Sequence, residues 1–175
     1  MEDDFPAGAA TGVDLKEHAM SYSFYIGNAV PTHGIEDGEL FARWEVTPEK
    51  HEAFEIMPND DMTSNGNDRY PAYIAWHEFC LEAGIEEMFY DDQTGFVSQH
   101  PGCFLLKRGH LLHVQGRLAH RRRVSDKPPG FPTYNGDWKI VDADKYDATL
   151  ARLIWLEYWM RWALENCEIP AIQNT

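Results

Sequence analysis

The segment KYDATLARLIWLEYWMRWALEN, residues 145–166, decides how this chain folds. At 100° per residue, its apolar side chains fall on two faces of a helix. One face holds Trp155, Tyr158, Trp159 and Trp162, and the other holds Tyr146, Leu153, Leu156, Met160 and Leu164. A helix with apolar side chains on two faces must be covered on both sides. We therefore expect a central core helix, with two alternatives for the aromatic face: contact with a second copy of the chain, or a ligand cradle.

Strand patterns stand near the start of the chain. Residues 21–30 and 39–46 are rich in aromatic and β-branched side chains, and apolar residues alternate in the second segment. We expect two antiparallel strands joined by a turn at residues 31–37. Residues 96–97 are a candidate for one more short strand.

Helix starts and stops follow the first strands. Thr47 and Pro48 are typical of a helix start, and that helix is expected to end at Met57. A further helix is expected from Tyr70-Pro71 to a C-cap at Gly84, and residues 85–90 can add one turn.

Residues 106–124 are compatible with a helix or a hairpin. The apolar side chains of Leu111, Val114 and Leu118 fit one helix face. Gly109 and Gly116 each disfavour a helix by about 1 kcal/mol. The pattern favours the helix.

Three further expectations concern the connecting segments and the end of the chain. The polar residues 59–68 predict an exposed, flexible hinge. Asp142 or Asp144 is expected to cap the C-terminal helix. Residues 168–175 are expected to fray.

The predicted architecture is α+β, with a small antiparallel N-terminal strand unit packed on three to four helices. The long aromatic C-terminal helix is the expected core. Residues 1–19 are small, polar and rich in Gly and Ala, so we expect a flexible leader. Residues 20–175 are then one domain, the usual number for 175 residues.

Charge is unevenly distributed along the chain, whose formal net charge is −14. Residues 1–106 carry 21 acidic and 4 basic residues, whereas residues 107–127 carry 1 acidic and 7 basic residues. An acidic excess repels nucleic acid and lipid headgroups and attracts basic surfaces. The basic run, with three arginines at 121–123, can pair with the acidic half of the chain or form a local patch.

Cysteine usage and hydropathy predict a cytoplasmic protein. Cys80, Cys103 and Cys167 are an odd number without a close pair, which is typical of reduced thiols. No basic-then-apolar leader opens the chain, so secretion is not expected. Charged residues interrupt the longest apolar stretch, which excludes it as a membrane span.

Catalytic and metal-binding signatures are weak. The candidate histidines for a metal-assisted enzyme are His77, His100, His110 and His113. They lack the spacing of known zinc motifs, and Lys107 and Arg108 oppose cation binding. A pairing of His77 with Cys80 as base and nucleophile requires a geometry that neighbours on one helix rarely reach.

The sequence also lacks the phosphate-binding motifs GxxxxGK[ST] and GxGxxG and the nucleophile motif GxSxG. We therefore predict a non-enzymatic protein without a metal or another cofactor.

Acidic side chains are the sharpest functional feature of the sequence. If they lie on one side of the fold, they can imitate the phosphates of duplex DNA, which carries one charge per about 1.7 Å of axis. The predicted partner-binding residues are Glu36, Asp37, Glu39, Asp60, Asp61, Glu86, Glu87, Asp91 and Asp92, and Glu45 can join them. An ordinary acidic surface that only aids solubility is the alternative.

One short region resembles a known family. Tyr25-Ile26-Gly27-Asn28, a turn, and then GELFARW at residues 38–44 resemble the opening of ArdA-type antirestriction proteins. These are small acidic proteins of mobile elements that imitate DNA and block restriction enzymes. The resemblance covers about twenty residues. The acidic central region and the C-terminal antirestriction motif of that family have no counterpart here, and the basic run departs from a uniformly acidic mimic.

These observations predict an acidic inhibitor of the phage or mobile-element type, of the anti-CRISPR or antirestriction kind. Its partner would be a basic, nucleic-acid-binding host protein such as a nuclease, with no direct contact to nucleic acid or membrane. The alternatives are the small metal-assisted enzyme and a structural or assembly protein. The latter would form a homodimer through Trp155, Tyr158, Trp159 and Trp162.

Overall fold

The aromatic segment near the C-terminus forms the longest helix of the computed structural model, which describes residues 21–36, 39–50, 66–137, 139–142 and 144–175. The helices are α1 (Tyr73–Ala83), α2 (Glu86–Tyr90), α3 (Arg108–Val124) and α4 (Ala148–Asn166). The strands are β1 (Phe24–Glu36), β2 (Glu39–Val46), β3 (Asp68–Arg69), β4 (Gly102–Leu105), β5 (Thr133–Tyr134), β6 (Ile140–Val141) and β7 (Pro170–Asn174). The leader predicted at residues 1–19 lies outside the described residues.

An antiparallel sheet with the strand order β2-β1-β7-β4 forms the β layer, and β3 pairs with the first half of β1. β5 and β6 form a separate two-stranded ribbon. Together with the four helices, this sheet confirms the predicted α+β class and the antiparallel pairing of the first two long strands.

Both faces of α4 are buried, which confirms the prediction of a core helix. Leu153, Leu156 and Met160 on one face are at most 1% exposed, and Trp155 and Trp159 on the other face are fully buried. α4 packs against α1, α3, β1 and β7. The aromatic face is therefore covered by the protein's own core.

This burial corrects the predicted dimer face. Trp155 and Trp159 lie inside the main hydrophobic cluster and cannot contact a second chain without unfolding. Tyr158 and Trp162 are only partly buried, at the edge of the same cluster. Their rings both pack edge-on against Trp159, at centroid distances of 5.3 Å.

The end of the chain does not fray. β7 lies between β1 and β4, with Ile172 paired to Ile26 on one side and to Phe104 on the other. Ala171, Ile172 and Asn174 are buried. A central strand forms hydrogen bonds along both of its edges. β7 has only five residues, and their sequence alone does not indicate this pairing.

The sequence predicts a turn at residues 31–37, but β1 continues through residues 31–36 of it, and residue 37 lies outside the described residues. Its register with β2 runs from Ala29↔Val46 to Glu36↔Glu39. Pro31 lies in the half of β1 that pairs with β2 alone, since the contacts to β7 end at Asn28. A strand tolerates proline where one of its edges is unpaired.

The helix predicted from Thr47 is not present where the structure describes it. Residues 47–49 are irregular and Lys50 forms an isolated bridge with Gly66. The remainder of that predicted helix, residues 51–57, lies outside the described residues. The chain therefore leaves β2 without forming a helix over residues 47–50.

The predicted exposed hinge contains a buried anchor at its end. Asn67 is fully buried, and its side-chain Nδ2 donates to the carbonyl oxygens of Ile26 and Thr47 at 3.0 and 2.9 Å. Its Oδ1 accepts from the backbone N–H of Glu49 at 2.8 Å. Since Asn67 satisfies backbone groups of β1 and of the segment after β2, the hinge prediction is wrong at this end. Residues 59–65 lie outside the described residues.

Several helix predictions are confirmed. α1 ends at Gly84, whose φ of 69° is the left-handed conformation that favours glycine at a C-cap. α2 supplies the extra turn. Residues 108–124 form a helix and not a hairpin, with Leu111, Val114 and Leu118 buried. By contrast, residues 96–97 are turns, and the strand of this region is β4. No helix in the described ranges is both long and apolar enough to pass through a bilayer.

Asp147, not Asp142 or Asp144, caps α4. Its Oδ1 accepts from the N–H of Leu150 at 2.8 Å, and its Oδ2 accepts from Arg121 at 2.6 Å. Burial alone would raise the pKa of Asp147, but hydrogen bonds from Arg121, Ser125 and Leu150 outweigh it and lower the pKa below its ordinary value. The cap thus joins α4 to the basic end of α3.

Replacing Asp147 with alanine is expected to destabilise the fold by about 2 kcal/mol, since it removes a helix cap and a largely buried ion pair. A lowered folded pKa also means that the ionised carboxylate stabilises the protein above its unfolded pKa of about 3.9, and that this contribution is lost as pH falls through the folded value. Chemical denaturation at pH 7 and below pH 3 measures both effects. Asp144→Ala, at an exposed position, is the matched control and should leave the midpoint unchanged. Equal midpoints for both variants would contradict the assignment.

Candidate protein-binding surface

An acidic segment spans α1, α2 and the turn that follows them. Residues 70–106 contain six Asp or Glu side chains and no Lys or Arg. The six acidic residues are Glu78, Glu82, Glu86, Glu87, Asp91 and Asp92. They lie on the surface because α1 and α2 turn their apolar residues, Trp76, Phe79, Cys80, Ala83 and Phe89, into the core.

Contacts within the segment fix some of these carboxylates. Glu86 Oε1 lies 3.2 Å from His77 Nε2, which joins α2 to α1. Asp91 Oδ1 accepts from the Thr94 hydroxyl and from the backbone N–H groups of Thr94 and Gln93. These hydrogen bonds, with the Thr94 hydroxyl first, hold the pKa of Asp91 below its ordinary value. Asp91 is therefore an anchored negative charge at the end of α2.

One carboxylate of the segment is paired with α3. Arg121 forms an ion pair with Glu82 at 2.8 Å in addition to its contacts with Asp147. The sequence left open whether the basic run pairs with the acidic half of the chain, and Arg121 does so. Because one guanidinium serves two carboxylates, the pairing holds Glu82 in place without removing the net negative charge of the group.

Three carboxylates remain available to a partner. Glu78, Glu87 and Asp92 are exposed, and none of them forms an ion pair with another described residue. We define the acidic surface as these three residues together with Glu86 and Asp91.

The other predicted partner-binding residues belong to the first hairpin or to parts of the chain without a description. Glu36 ends β1, Glu39 begins β2, and the two are paired in register. Glu45 is exposed on β2. Asp37, Asp60 and Asp61 lie outside the described residues, so the structure neither joins them to the acidic surface nor separates them from it.

The candidate histidines have separate roles. His110 Nδ1 accepts from the N–H of Lys107 at the start of α3, at 3.2 Å, and burial followed by the charge of Lys107 lowers its pKa. His113 Nε2 donates to the carbonyl of Gly84 at 3.1 Å. His77 contacts Glu86. Among the described residues, no group of three or more His, Cys, Asp or Glu side chains is arranged to hold a metal ion.

Cys80 is fully buried in the core. Burial raises the pKa of its thiol far above the ordinary range. The thiol therefore stays protonated at neutral pH, which is the opposite of what a nucleophilic cysteine requires. The candidate pairing of Cys80 with His77 therefore has no chemical support.

A hydrogen-bond chain that the sequence did not indicate surrounds His100. The buried Asn174 donates its Nδ2 to the carbonyl of Phe96, so its Oδ1 must accept from His100 Nδ1–H, at 2.6 Å. His100 Nε2 is then the acceptor for the Tyr73 hydroxyl at 2.8 Å. This chain joins the end of β7 to α1. These residues are close in space but far apart in sequence, so no local sequence pattern could reveal the hydrogen bonds between them.

An apolar groove of about 710 Å³ lies on the sheet face opposite α4. Its walls include the exposed side chains of Trp44 and Leu105, 47% and 60% exposed, and the small buried residues Ala29 and Ala171. Lys107 and Glu168 stand at its edge. The groove holds no arrangement of catalytic side chains.

Comparison with protein-family models, with curated protein sequences and with solved structures finds no significant match. The resemblance of the β1–β2 region to ArdA-type proteins stays a prediction from the sequence.

Proposed function

We propose that this protein is a non-enzymatic inhibitor that binds a basic, nucleic-acid-binding surface of another protein through its acidic surface. The observation that carries the proposal is the run of 37 residues, 70–106, without a single Lys or Arg. It presents Glu78, Glu87 and Asp92 to solvent with no ion pair among the described residues. The target would be a defence or DNA-handling protein in the cytoplasm of a host cell.

The arrangement of the acidic groups supports a rigid binding surface. The bond between His77 and Glu86 joins α2 to α1, and the turn after α2 is held by Asp91. The buried Trp76 and Phe89 pack against each other beneath these helices, at a ring distance of 5.2 Å. Fixed carboxylates imitate a phosphate array better than mobile ones, since less conformational entropy is lost on binding.

The basic face of α3 limits a basic partner to one side of the molecule. A uniformly acidic particle would bind basic surfaces from any direction. Here the neighbouring α3 has no acidic residue between Lys107 and Ser125, so a basic partner is repelled from that side. Since Glu86 and Glu87 share a depression with Arg117 of α3, the partner is expected to approach from the side of Glu78, Asp91 and Asp92.

The double variant Glu78→Lys/Asp92→Lys tests the proposal. Captured from host lysate on immobilised protein at low salt, a basic nucleic-acid-binding partner should be retained by the wild type and lost by this variant. The matched control is Asp137→Lys/Asp144→Lys, which changes net charge by the same amount at exposed positions outside the acidic surface. Equal capture by both variants would refute a localised acidic surface. Equal loss by both would show that net charge alone attracts the partner.

A further inference from the structure

Exposed apolar side chains flank the contact between the C-terminal end of α1 and α3, where His113 Nε2 donates to the carbonyl of Gly84. Leu81, near the end of α1, is 52% exposed. Leu112 on α3 is 57% exposed. Large apolar residues clustered on a surface rimmed by charges are typical of protein–protein contact sites.

Two shallow depressions shape this surface, with volumes of about 390 and 240 Å³. The first is lined by Leu112, Gly116 and His120, the second by Leu81, Glu86 and Glu87, and both share His113 and Arg117. At Gly116 nothing lies within 4 Å of where a Cβ would be. A partner can therefore approach the α3 backbone closely in the first depression.

Charge is divided across the surface. The basic half carries Arg117 together with His113 and His120, and the acidic half carries Glu86 and Glu87. Arg117 is exposed and forms no ion pair with any residue that the structure describes. Glu87 is likewise without such a pair. Each half therefore offers an unneutralised charge of opposite sign.

We propose that this surface, formed by Leu81, Glu86, Glu87, Leu112, Gly116 and Arg117, binds the same surface of a second copy of the chain around a two-fold axis. In a two-fold interface, residue i of one copy contacts residue j of the other, and j contacts i. Adjacent patches of opposite charge are then complementary to themselves, so that Arg117 of each copy meets Glu87 of its partner. The exposed leucines form the centre of the contact.

Other occupants fit the charges less well. The phosphates of a nucleic acid on α3 would approach Glu86 and Glu87, which line the same depression as Arg117. A uniformly basic protein would be repelled by α3. A second copy places its acidic half against the basic half of the first copy and its basic half against the acidic half. The chain forms the same kind of ion pair internally, between Arg121 and Glu82.

A charge swap tests the two-fold contact. Sedimentation velocity of the full chain should show a dimer for the wild type, and Arg117→Glu or Glu87→Arg should each weaken the dimer by at least about tenfold. The combined variant Arg117→Glu/Glu87→Arg should restore it, because both pairs are rebuilt with reversed sign. Arg122→Glu, on the exposed side of α3 outside both depressions, is the control and should still dimerise.

Three results would overturn this inference: a wild type that is monomeric at 100 µM and low salt, a dimer that Arg117→Glu leaves intact, or a combined variant that stays monomeric while its thermal midpoint matches the wild type. The two-fold contact and the acidic surface share Glu86 and Glu87, and variants at the other positions distinguish them. A monomeric Arg117→Glu variant should still bind the basic partner, whereas Glu78→Lys/Asp92→Lys should lose the partner and keep the dimer.

Discussion

Trp155→Ala is expected to destabilise the fold by about 3–5 kcal/mol, the range for removing a large aromatic side chain from a packed core. Trp155 is fully buried and donates its indole N–H to the carbonyl of Gly66 at 3.1 Å. The Arg69 guanidinium lies 5.1 Å from its ring centroid. The substitution therefore removes packing, a buried hydrogen bond and a cation–π contact at once.

Thermal unfolding measures this effect. For a chain of this length, a loss of that size lowers the midpoint by about 10 °C. Trp44→Ala is the control of the same chemistry, because Trp44 is 47% exposed at the rim of the apolar groove. If the two variants unfold at the same temperature, α4 is not the centre of the core. If Trp155→Ala keeps the stability of the wild type but changes its oligomeric state, the aromatic face of α4 forms a dimer contact and not the core.

Asn67→Ala is expected to cost about 3 kcal/mol, since buried groups left without hydrogen-bond partners cost about 1–3 kcal/mol each. The Asn67 side chain donates to two backbone carbonyl oxygens and accepts from one backbone N–H. Gly27 lies directly beneath it, where an added Cβ would stand 3.1 Å from Asn67 Nδ2. The Asn67 amide therefore packs closely against the backbone of β1.

Asn135→Ala is the matched control for this prediction. Asn135 Oδ1 also accepts two backbone N–H groups, from Asp137 and Lys139, but it does so at an exposed turn where water can replace it. Urea denaturation of the two variants should therefore give a loss for Asn67→Ala several times that of Asn135→Ala. A loss at Asn67 no larger than that at Asn135 would show that the Asn67 side chain is not a buried anchor.

Local sequence patterns were sufficient to predict the elements that depend on neighbouring residues. The two apolar faces of α4, the pairing of β1 with β2 and the glycine C-cap of α1 all follow from the spacing of neighbouring residues. The spacing of Leu111, Val114 and Leu118 predicts the helix α3 despite two glycines. The structure shows that Gly109 and Gly116 both lie on its exposed face, where no packing contact is lost.

Long-range contacts account for the corrected predictions. β7 is a central strand only because β1 and β4, each more than sixty residues away in sequence, pair with its two edges. Asp147 caps α4 instead of Asp142 or Asp144 since Arg121 of α3 lies against it. In the candidate surface, the acidic character of residues 70–106 could be predicted from the sequence, but the ion pair between Glu82 and Arg121 could not. That pairing depends on how α3 packs beside α1.

The proposed complex with a basic partner is tested most directly by competition with duplex DNA. The partner captured by the wild type is titrated with the inhibitor at several salt concentrations, with and without an excess of duplex. Binding through displayed carboxylates to a nucleic-acid site predicts an affinity that falls steeply with salt and a complex that the duplex displaces. An affinity independent of salt, or a complex that survives saturating duplex, would contradict the account.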